Sequence, residues 1–321
     1  MKLSRALAFA AAVLAAPAPV AAQIWPEKTI RVVVGFPPGP TDVMGRPVAA
    51  KLQQALGVNV IFENRPGANG AIATEQVARG EADGYTVLLG TAGTHVTAVH
   101  LVKNLRYDPV KDFEPVIAAI EPVTCLVVHP SVPVKTIPEL IAYAKARPGK
   151  LSYGSTGIGS FFHLAGELFN LKAGVDIVHV PYKGADAAMS DLVGGHIPIV
   201  LTSLSTAGPH LQSGAARLVA ILEPERFAKM PDVASITETL PEFRKPSTWF
   251  GFFVARGTPA PLVARLNAEI DKILNTPDMR GLMEQNGYKV LGGPPARLRD
   301  LMIDGIARFG EIVKAAGIQA E

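Results

Sequence analysis

Short β-branched runs alternate with amphipathic helical stretches along most of the chain, and few folds accommodate that order. Ile30–Val34 reads as a buried strand, residues 42–56 as a helix and 58–62 as the next strand. Residues 71–79 are then helical and 85–89 extended. In the first helix, Val43, Met44, Pro47, Val48 and Leu52 supply the apolar positions. Strands separated by helices form parallel sheets, because a parallel connection must cross back over the sheet and a helix covers it. A second cycle predicts strands at 124–128, 151–153, 177–180, 197–201 and 218–222, with helices at 137–147, 162–171 and 185–193. Residues 249–255 give one more apolar strand, and the tail is helical at 261–275, 277–286 and 295–316.

A chain of 321 residues exceeds one ordinary core, so two domains are expected. Two α/β cycles followed by a helical tail predict that the chain leaves a first lobe, builds a second, and returns. The crossings are placed near Cys125 and near Phe250, giving a first lobe of 23–124 plus 249–321 and a second of 125–248. Each lobe is expected to be a mostly parallel sheet flanked by helices. Proline-rich turns such as Phe36-Pro37-Pro38-Gly39-Pro40 punctuate the elements, and no tandem repeat or low-complexity linker separates them.

The first 22 residues have the plan of a secretory signal peptide. Lys2 and Arg5 are followed by an uncharged apolar run at 6–16 and by Val20-Ala21-Ala22, small or compact residues suited to a signal peptidase. Cleavage is expected near Ala22, with the mature chain in the periplasm. The apolar run is short and alanine-rich for a membrane span, and no later stretch is long and apolar enough to make one. Without Lys2 and Arg5, the 31 basic residues fall to 29 against 28 acidic ones. That balance, with no basic run and no interleaved aromatics, disfavours nucleic-acid binding. Cys125 is the only cysteine and sits in the run Val123-Thr124-Cys125-Leu126-Val127-Val128, so it reads as a small buried hydrophobe.

Open α/β sheets bind ligands outside the carboxyl ends of their strands, where loops enter helices. Two such loops stand out. One is Gly35-Phe36-Pro37-Pro38-Gly39-Pro40-Thr41-Asp42, with Thr41 or Asp42 as a helix cap. The other is Tyr153-Gly154-Ser155-Thr156-Gly157-Ile158-Gly159-Ser160, whose glycines admit close backbone approach and whose hydroxyls can donate. Gly90-Thr91-Ala92-Gly93-Thr94-His95 follows a strand with the same small, hydroxyl-rich character, and Lys183 stands just after another strand. A helix terminus gives an anion about 0.3–1 kcal/mol, rising to about 2 when partly buried. A charge-assisted hydrogen bond adds roughly 1.5–3 kcal/mol, whereas micromolar affinity needs about 8. One loop falls short of that figure, and two loops closing from opposite lobes reach it.

The residues offer little to enzymology. Gly157-Ile158-Gly159 begins like a dinucleotide fingerprint, but Phe162 occupies the place of the third glycine and no acid ends the following strand. There is no phosphate loop and no Gly-x-Ser-x-Gly elbow. The seven histidines include no pair at helical zinc spacing, and no cofactor or metal is expected. Ser160 and His163 stand three apart at a helix start, where packing or capping is a more ordinary role for His163 than acting as a base. No reaction follows from these residues.

Several motifs, in order, resemble one family. They are Trp25-Pro26, Val60-Ile61-Phe62-Glu63-Asn64-Arg65-Pro66-Gly67-Ala68, Ala82-Asp83-Gly84-Tyr85-Thr86, and Tyr107-Asp108-Pro109-Val110-Lys111-Asp112-Phe113. Further on come His163-Leu164-Ala165-Gly166-Glu167-Leu168-Phe169, Val180-Pro181-Tyr182-Lys183-Gly184, Trp249-Phe250-Gly251 and Gly257-Thr258-Pro259-Ala260-Pro261. Together these motifs resemble the extracytoplasmic solute receptors of tripartite tricarboxylate transporters, the TctC or Bug family, over essentially the whole mature chain. The resemblance implies a two-lobed, type II-like periplasmic binding fold that closes like a flytrap on a small organic acid. It also implies delivery to the membrane subunits of a secondary transporter, by a protein expected to be a monomer.

Carried over by position, the first loop supplies Phe36, Gly39, Thr41 and Asp42, and the second supplies Ser155, Thr156, Gly157 and Ser160. Thr91, Thr94 and His95 match the loop that meets the far end of the ligand. Two departures bear on the ligand. The family commonly has two glycines where this chain has Gly39-Pro40, and proline lacks an N–H. The family also commonly has Asp or Asn where Thr202 stands, so a charged partner for an amino group is missing. A mono- or dicarboxylate without a required amino group is therefore expected, with Phe161 or Phe162 offering an apolar wall for an aromatic acid. Two other classes share the fold: a sensor subunit presenting its loaded form to a two-component system, and a secreted enzyme. Neighbouring genes would separate the first from transport, and chemical conversion of a bound acid would reveal the second.

Overall fold

The computed structural model describes residues 25–315, 317 and 318, so the export segment and its cleavage point lie outside the described residues. The first sheet begins with β1 (Ile30–Val34), α1 (Pro40–Leu56), β2 (Val60–Asn64), α2 (Ala71–Ala78) and β3 (Thr86–Thr91). A wide π-helical turn at Gly93–Thr97 leads into the short α3 (Ala98–Leu101), and β4 (Phe113–Pro122) follows. The chain then enters the second sheet through β5 (Thr124–Val128), α4 (Ile137–Lys145), β6 (Leu151–Ser155), α5 (Phe161–Ala173) and β7 (Ile177–Pro181). That sheet continues with α6 (Ala185–Val193), β8 (Ile199–Ser203), α7 (Leu204–Gln212) and β9 (Arg217–Ile221). The return consists of β10 (Phe250–Ala255), α8 (Ala260–Leu274), α9 (Pro277–Gln285), β11 (Tyr288–Val290) and α10 (Pro295–Ala315).

The six-stranded sheet has the order β11-β4-β10-β3-β1-β2, and the five-stranded sheet the order β7-β6-β8-β5-β9. Both sheets are mixed. In the first, β2, β1 and β3 are parallel, β10 opposes β3 and β4, and β11 opposes β4. In the second, β7, β6 and β8 are parallel, and β5 opposes both β8 and β9. Most strands of each sheet therefore share one direction. The exceptions in the first sheet are β10, which re-enters it from the second, and the edge strand β11. In the second sheet the exception is β5, by which the chain enters.

Both faces of each sheet are covered, which explains the unbroken apolar runs. Successive side chains of a strand point to opposite faces. Ile30, Val32 and Val34 accordingly join a core with Met44, Leu52 and Ile270, while Val33 joins another with Leu298, Met302 and Phe309. In β5, Leu126 and Val128 face α5 and Phe243, while Cys125 and Val127 face α6 through Met189 and Leu192. Cys125 is fully buried, as its sequence context predicts, and burial pushes its thiol pKa up.

Four elements carry no periodic signature in the sequence. β4 contains Pro115, Pro122, two glutamates and two alanines, so its composition signals neither strand nor helix, yet it pairs on both sides. α7 contains Gly208 and Pro209, which read as turn residues; Ser203 starts it by accepting the Thr206 N–H. The three-residue β11 and four-residue α3 are too short to carry a period.

Gly45 brings α1 close onto its sheet: a Cβ there would collide with the Phe62 ring and press on Leu89. Gly45→Ala is expected to lower stability by about 1–3 kcal/mol, the usual cost of overpacking. A urea melt checks this, with the midpoint falling at unchanged slope.

Candidate functional site

The parallel direction of β1, β2 and β3 puts their carboxyl ends on one rim, and the second sheet does the same for β6, β7 and β8. The first loop leaves β1 at Gly35 and enters α1 through Pro40, whose missing N–H suits a first-turn position. Asp42 holds this loop from behind. Its carboxylate accepts the Gly39 N–H at 3.2 Å, the Asn64 amide at 3.0 Å and the Arg46 guanidinium at 2.7 Å. Asn64 also donates to the Phe36 carbonyl at 3.0 Å, so β2 fixes the loop after β1. Asp42 thus shapes the backbone around Phe36, Gly39 and Thr41.

The loop after β3 lies against the same structure. A Cβ at Gly70 would meet Thr94 and Phe36, so the loops after β1, β2 and β3 pack together. Thr91 and Thr94 lock each other: the Thr91 N–H donates to Thr94 Oγ1 at 3.1 Å, and the Thr94 N–H to Thr91 Oγ1 at 3.3 Å. Tyr107 donates its hydroxyl to the Thr94 carbonyl at 2.7 Å. His95 lies beneath, fully buried and stacked on Phe253 at 4.1 Å between centroids, with Nδ1 2.8 Å from Thr94 Oγ1. Nε2 has no partner among the described residues, and burial lowers the His95 pKa to about 3. The neutral ring backs the threonine turn.

In the second sheet, Ser155 ends β6 and Ser160 caps α5, accepting the His163 N–H at 3.2 Å. Gly157 has φ 125° and Gly159 φ 69°, backbone that a side chain would strain. Ser155 Oγ accepts the Gly157 N–H at 3.1 Å and lies 2.7 Å from His179 Nε2. Thr156, by contrast, has no hydrogen-bond partner for its hydroxyl among the described residues. Lys183, at the end of β7, is exposed and outside any ion pair among the described residues. Thr202, near the end of β8, is 1% exposed, and its hydroxyl has no partner among the described residues. An unmet buried hydroxyl costs about 1–3 kcal/mol unless something accepts or donates there. Phe161 and Phe162 are half-buried and pack on the core beneath α5.

The two halves approach each other at these loops. A Cβ at Gly159 would strike the Leu101 side chain of α3, and Leu164 of α5 joins the first sheet's core beside Val96. Tyr288 makes a second bridge. Its hydroxyl donates to the Pro40 carbonyl at 3.3 Å, while the neighbouring Gly287 abuts Leu204 and Ser205 at the start of α7. A separate concavity of about 640 Å³ lies between the β9 and β11 edges, beyond the crossing strands. None of the candidate residues lines it. Among its cations Lys229 pairs with Glu284 at 3.0 Å and Lys245 with Glu223 at 2.7 Å, whereas Arg244, Arg280, Lys289 and Arg297 are exposed and outside any ion pair among the described residues.

The family model described as "Tripartite tricarboxylate transporter family receptor", TctC, matches residues 44–318. The chain belongs to this family. BugT of Bordetella pertussis is 34% identical over 303 residues, covering 94% of this chain and 93% of BugT. The structure of R. palustris Rpa4515 with adipate superimposes with a TM-score of 0.83 at 34% identity, covering 92% of this chain and all of that one. MatC (Rpa3494) from Rhodopseudomonas palustris with bound malate gives 0.76 at 34% identity, over 90% of this chain and 100% of that one. These are substrate-binding receptors rather than enzymes. In this TctC receptor the Ser155–His179 contact is accordingly an element of structure.

Sequence reasoning missed three contributors to the site of this TctC receptor. Ala68 and Asn69 adopt left-handed backbone, φ 46° and 51°, at the carboxyl end of β2; the flanking Gly67 and Gly70 were the available signal. Tyr288 carries no local signal, because its contact to Pro40 spans 248 residues. His179 alternates within a strand and gains meaning only beside Ser155.

The buried histidines link stability to pH. His95 is lowered to about 3, and His163 and His179 to about 4, chiefly by burial. The unfolded chain then binds more protons than the native one below about pH 6.5, so stability is full above that pH and falls toward pH 3–4. Chemical denaturation across pH 3–7 is expected to show this loss, and His95→Gln to make it shallower.

Proposed function

We propose that this TctC receptor captures a small mono- or dicarboxylate between its two lobes and delivers it to the membrane subunits of a tripartite tricarboxylate-type transporter. The observation carrying this reading is that Gly159 of the Ser155–Ser160 loop abuts Leu101 of α3, which follows the Thr94 turn against which Gly70 packs with Phe36 of the Phe36–Asp42 loop. Each loop ends in a helix N-terminus, where free N–H groups favour an anion. Direct contacts fall to Phe36, Thr41, Thr156 and the first-turn amides of α5, while Gly39 and Gly157, whose N–H groups go to Asp42 and Ser155, shape the loops that Asp42, Ser155 and Ser160 hold. Thr91 and Thr94 meet the far end of the acid, backed by His95, and Lys183 adds a mobile charge.

Relatives that hold adipate and malate support a dicarboxylate. Thr202 refines the class. Its neutral buried hydroxyl gives a ligand ammonium no ionic partner, which favours acids without an amino group. The lobes, 23–124 plus 249–321 and 125–248, close about the crossing segments on a monomer exported to the periplasm and cleaved near Ala22.

Calorimetry of the mature chain against adipate, malate, aspartate and glutamate tests this. Micromolar binding of an unaminated diacid, weakened roughly tenfold by Thr156→Ala, is expected. Tight aspartate or glutamate binding with no response to the other acids would contradict the assignment.

A further inference from the structure

Behind the second loop lies a polar network that ligand contact alone does not require. The His163 and His179 rings stack at 3.8 Å between centroids, 17° from parallel, one on α5 and the other on β7. His163 Nδ1 accepts the Gly159 N–H at 2.9 Å, and His179 Nε2 lies 2.7 Å from Ser155 Oγ. Tyr153, from β6, donates its hydroxyl to the His163 carbonyl at 2.9 Å and to Glu167 Oε1 at 2.7 Å. We propose that His163 and His179 are positioning residues for the carboxylate loop, His163 fixing the Gly159 amide and His179 fixing the Ser155 hydroxyl. This rests on the carboxylate-capture reading above.

The loop cannot hold this shape through its own backbone. Left-handed Gly157 and Gly159 turn their N–H groups inward, where a buried amide without an acceptor is costly. Ser155 Oγ takes the first and His163 Nδ1 takes the second. Accepting an N–H requires Nδ1 to carry no proton, so neutral His163 bears its proton on Nε2, toward Glu167 Oε1 at 3.9 Å. Burial keeps both rings neutral at ordinary pH. With the inner donors satisfied, the first-turn amides of Phe161 and Phe162, which have no acceptor within α5, are left to face an anion. Gly166 lets the assembly close: a Cβ there would collide with the Tyr153 ring.

Three readouts on the mature chain test this. Long-range proton–nitrogen NMR should show His163 as the Nε2–H tautomer, and the Gly159 amide should be protected from exchange. His163→Leu should speed Gly159 exchange and weaken adipate binding about tenfold. His163→Asn, whose Oδ1 can stand near the place of Nδ1, should restore most of both, as His179→Gln should relative to His179→Leu. A proton on His163 Nδ1, or equal behaviour of the Leu and Asn variants, would overturn the proposal. If the wild type binds no adipate, the capture reading fails for that acid, while the tautomer and exchange results still decide the positioning role. The wild-type tautomer also decides if a leucine variant does not fold.

Discussion

Apolar burial on both faces of each sheet leaves a polar ligand only the strand ends to occupy. Val32 and Val33 face different cores, as do Leu126 and Val127, so neither face of either sheet is open to solvent for a charged group. Parallel strands then gather their carboxyl ends on one rim. The loops after β1, β2 and β3 pack together through Phe36, Gly70 and Thr94, and β6, β7 and β8 bring Ser155, Lys183 and Thr202 to a corresponding edge. The chemistry of the site follows from this arrangement, since helix starts provide N–H groups where strands end.

The crossing segments divide the molecule. β10 and β4 separate β3, β1 and β2 from β11, while β5 separates β8, β6 and β7 from β9. The loops with unused hydroxyls and amides lie on one side of this divide. The concavity bounded by Lys229–Glu284 lies on the other. The burial of unsatisfied polar groups, rather than the size of a hollow, distinguishes them: Thr202 has an unmet buried hydroxyl among the described residues, whereas the unpaired cations of the concavity, Arg244, Arg280, Lys289 and Arg297, are exposed.

Much of the fold was legible because it rests on local periodicity. The alternation of strand and helix and the buried Cys125 can be read from short windows of sequence, whereas the helix cap expected at Thr41 or Asp42 falls at Gly39, because Pro40 already stands in the first turn. β4 could not, because its ten residues combine proline, glutamate and alanine and owe their extended form to partners on either side. The site was legible in its loops but not in its supports. Gly39-Pro40 and Gly157–Ser160 announce themselves by composition. The Asn64 amide on Phe36, Tyr288 on Pro40 and His179 against Ser155 join residues 24 to 248 positions apart. No local pattern encodes such pairs.

A crystal structure of the mature protein with the tightest-binding acid tests the central claim most directly. The account predicts one carboxylate between the Phe36–Asp42 loop and the start of α5, within hydrogen-bond distance of Thr156 and the first-turn amides. An acid seated instead among Arg226, Lys229 and Arg280, with those loops empty, would contradict it.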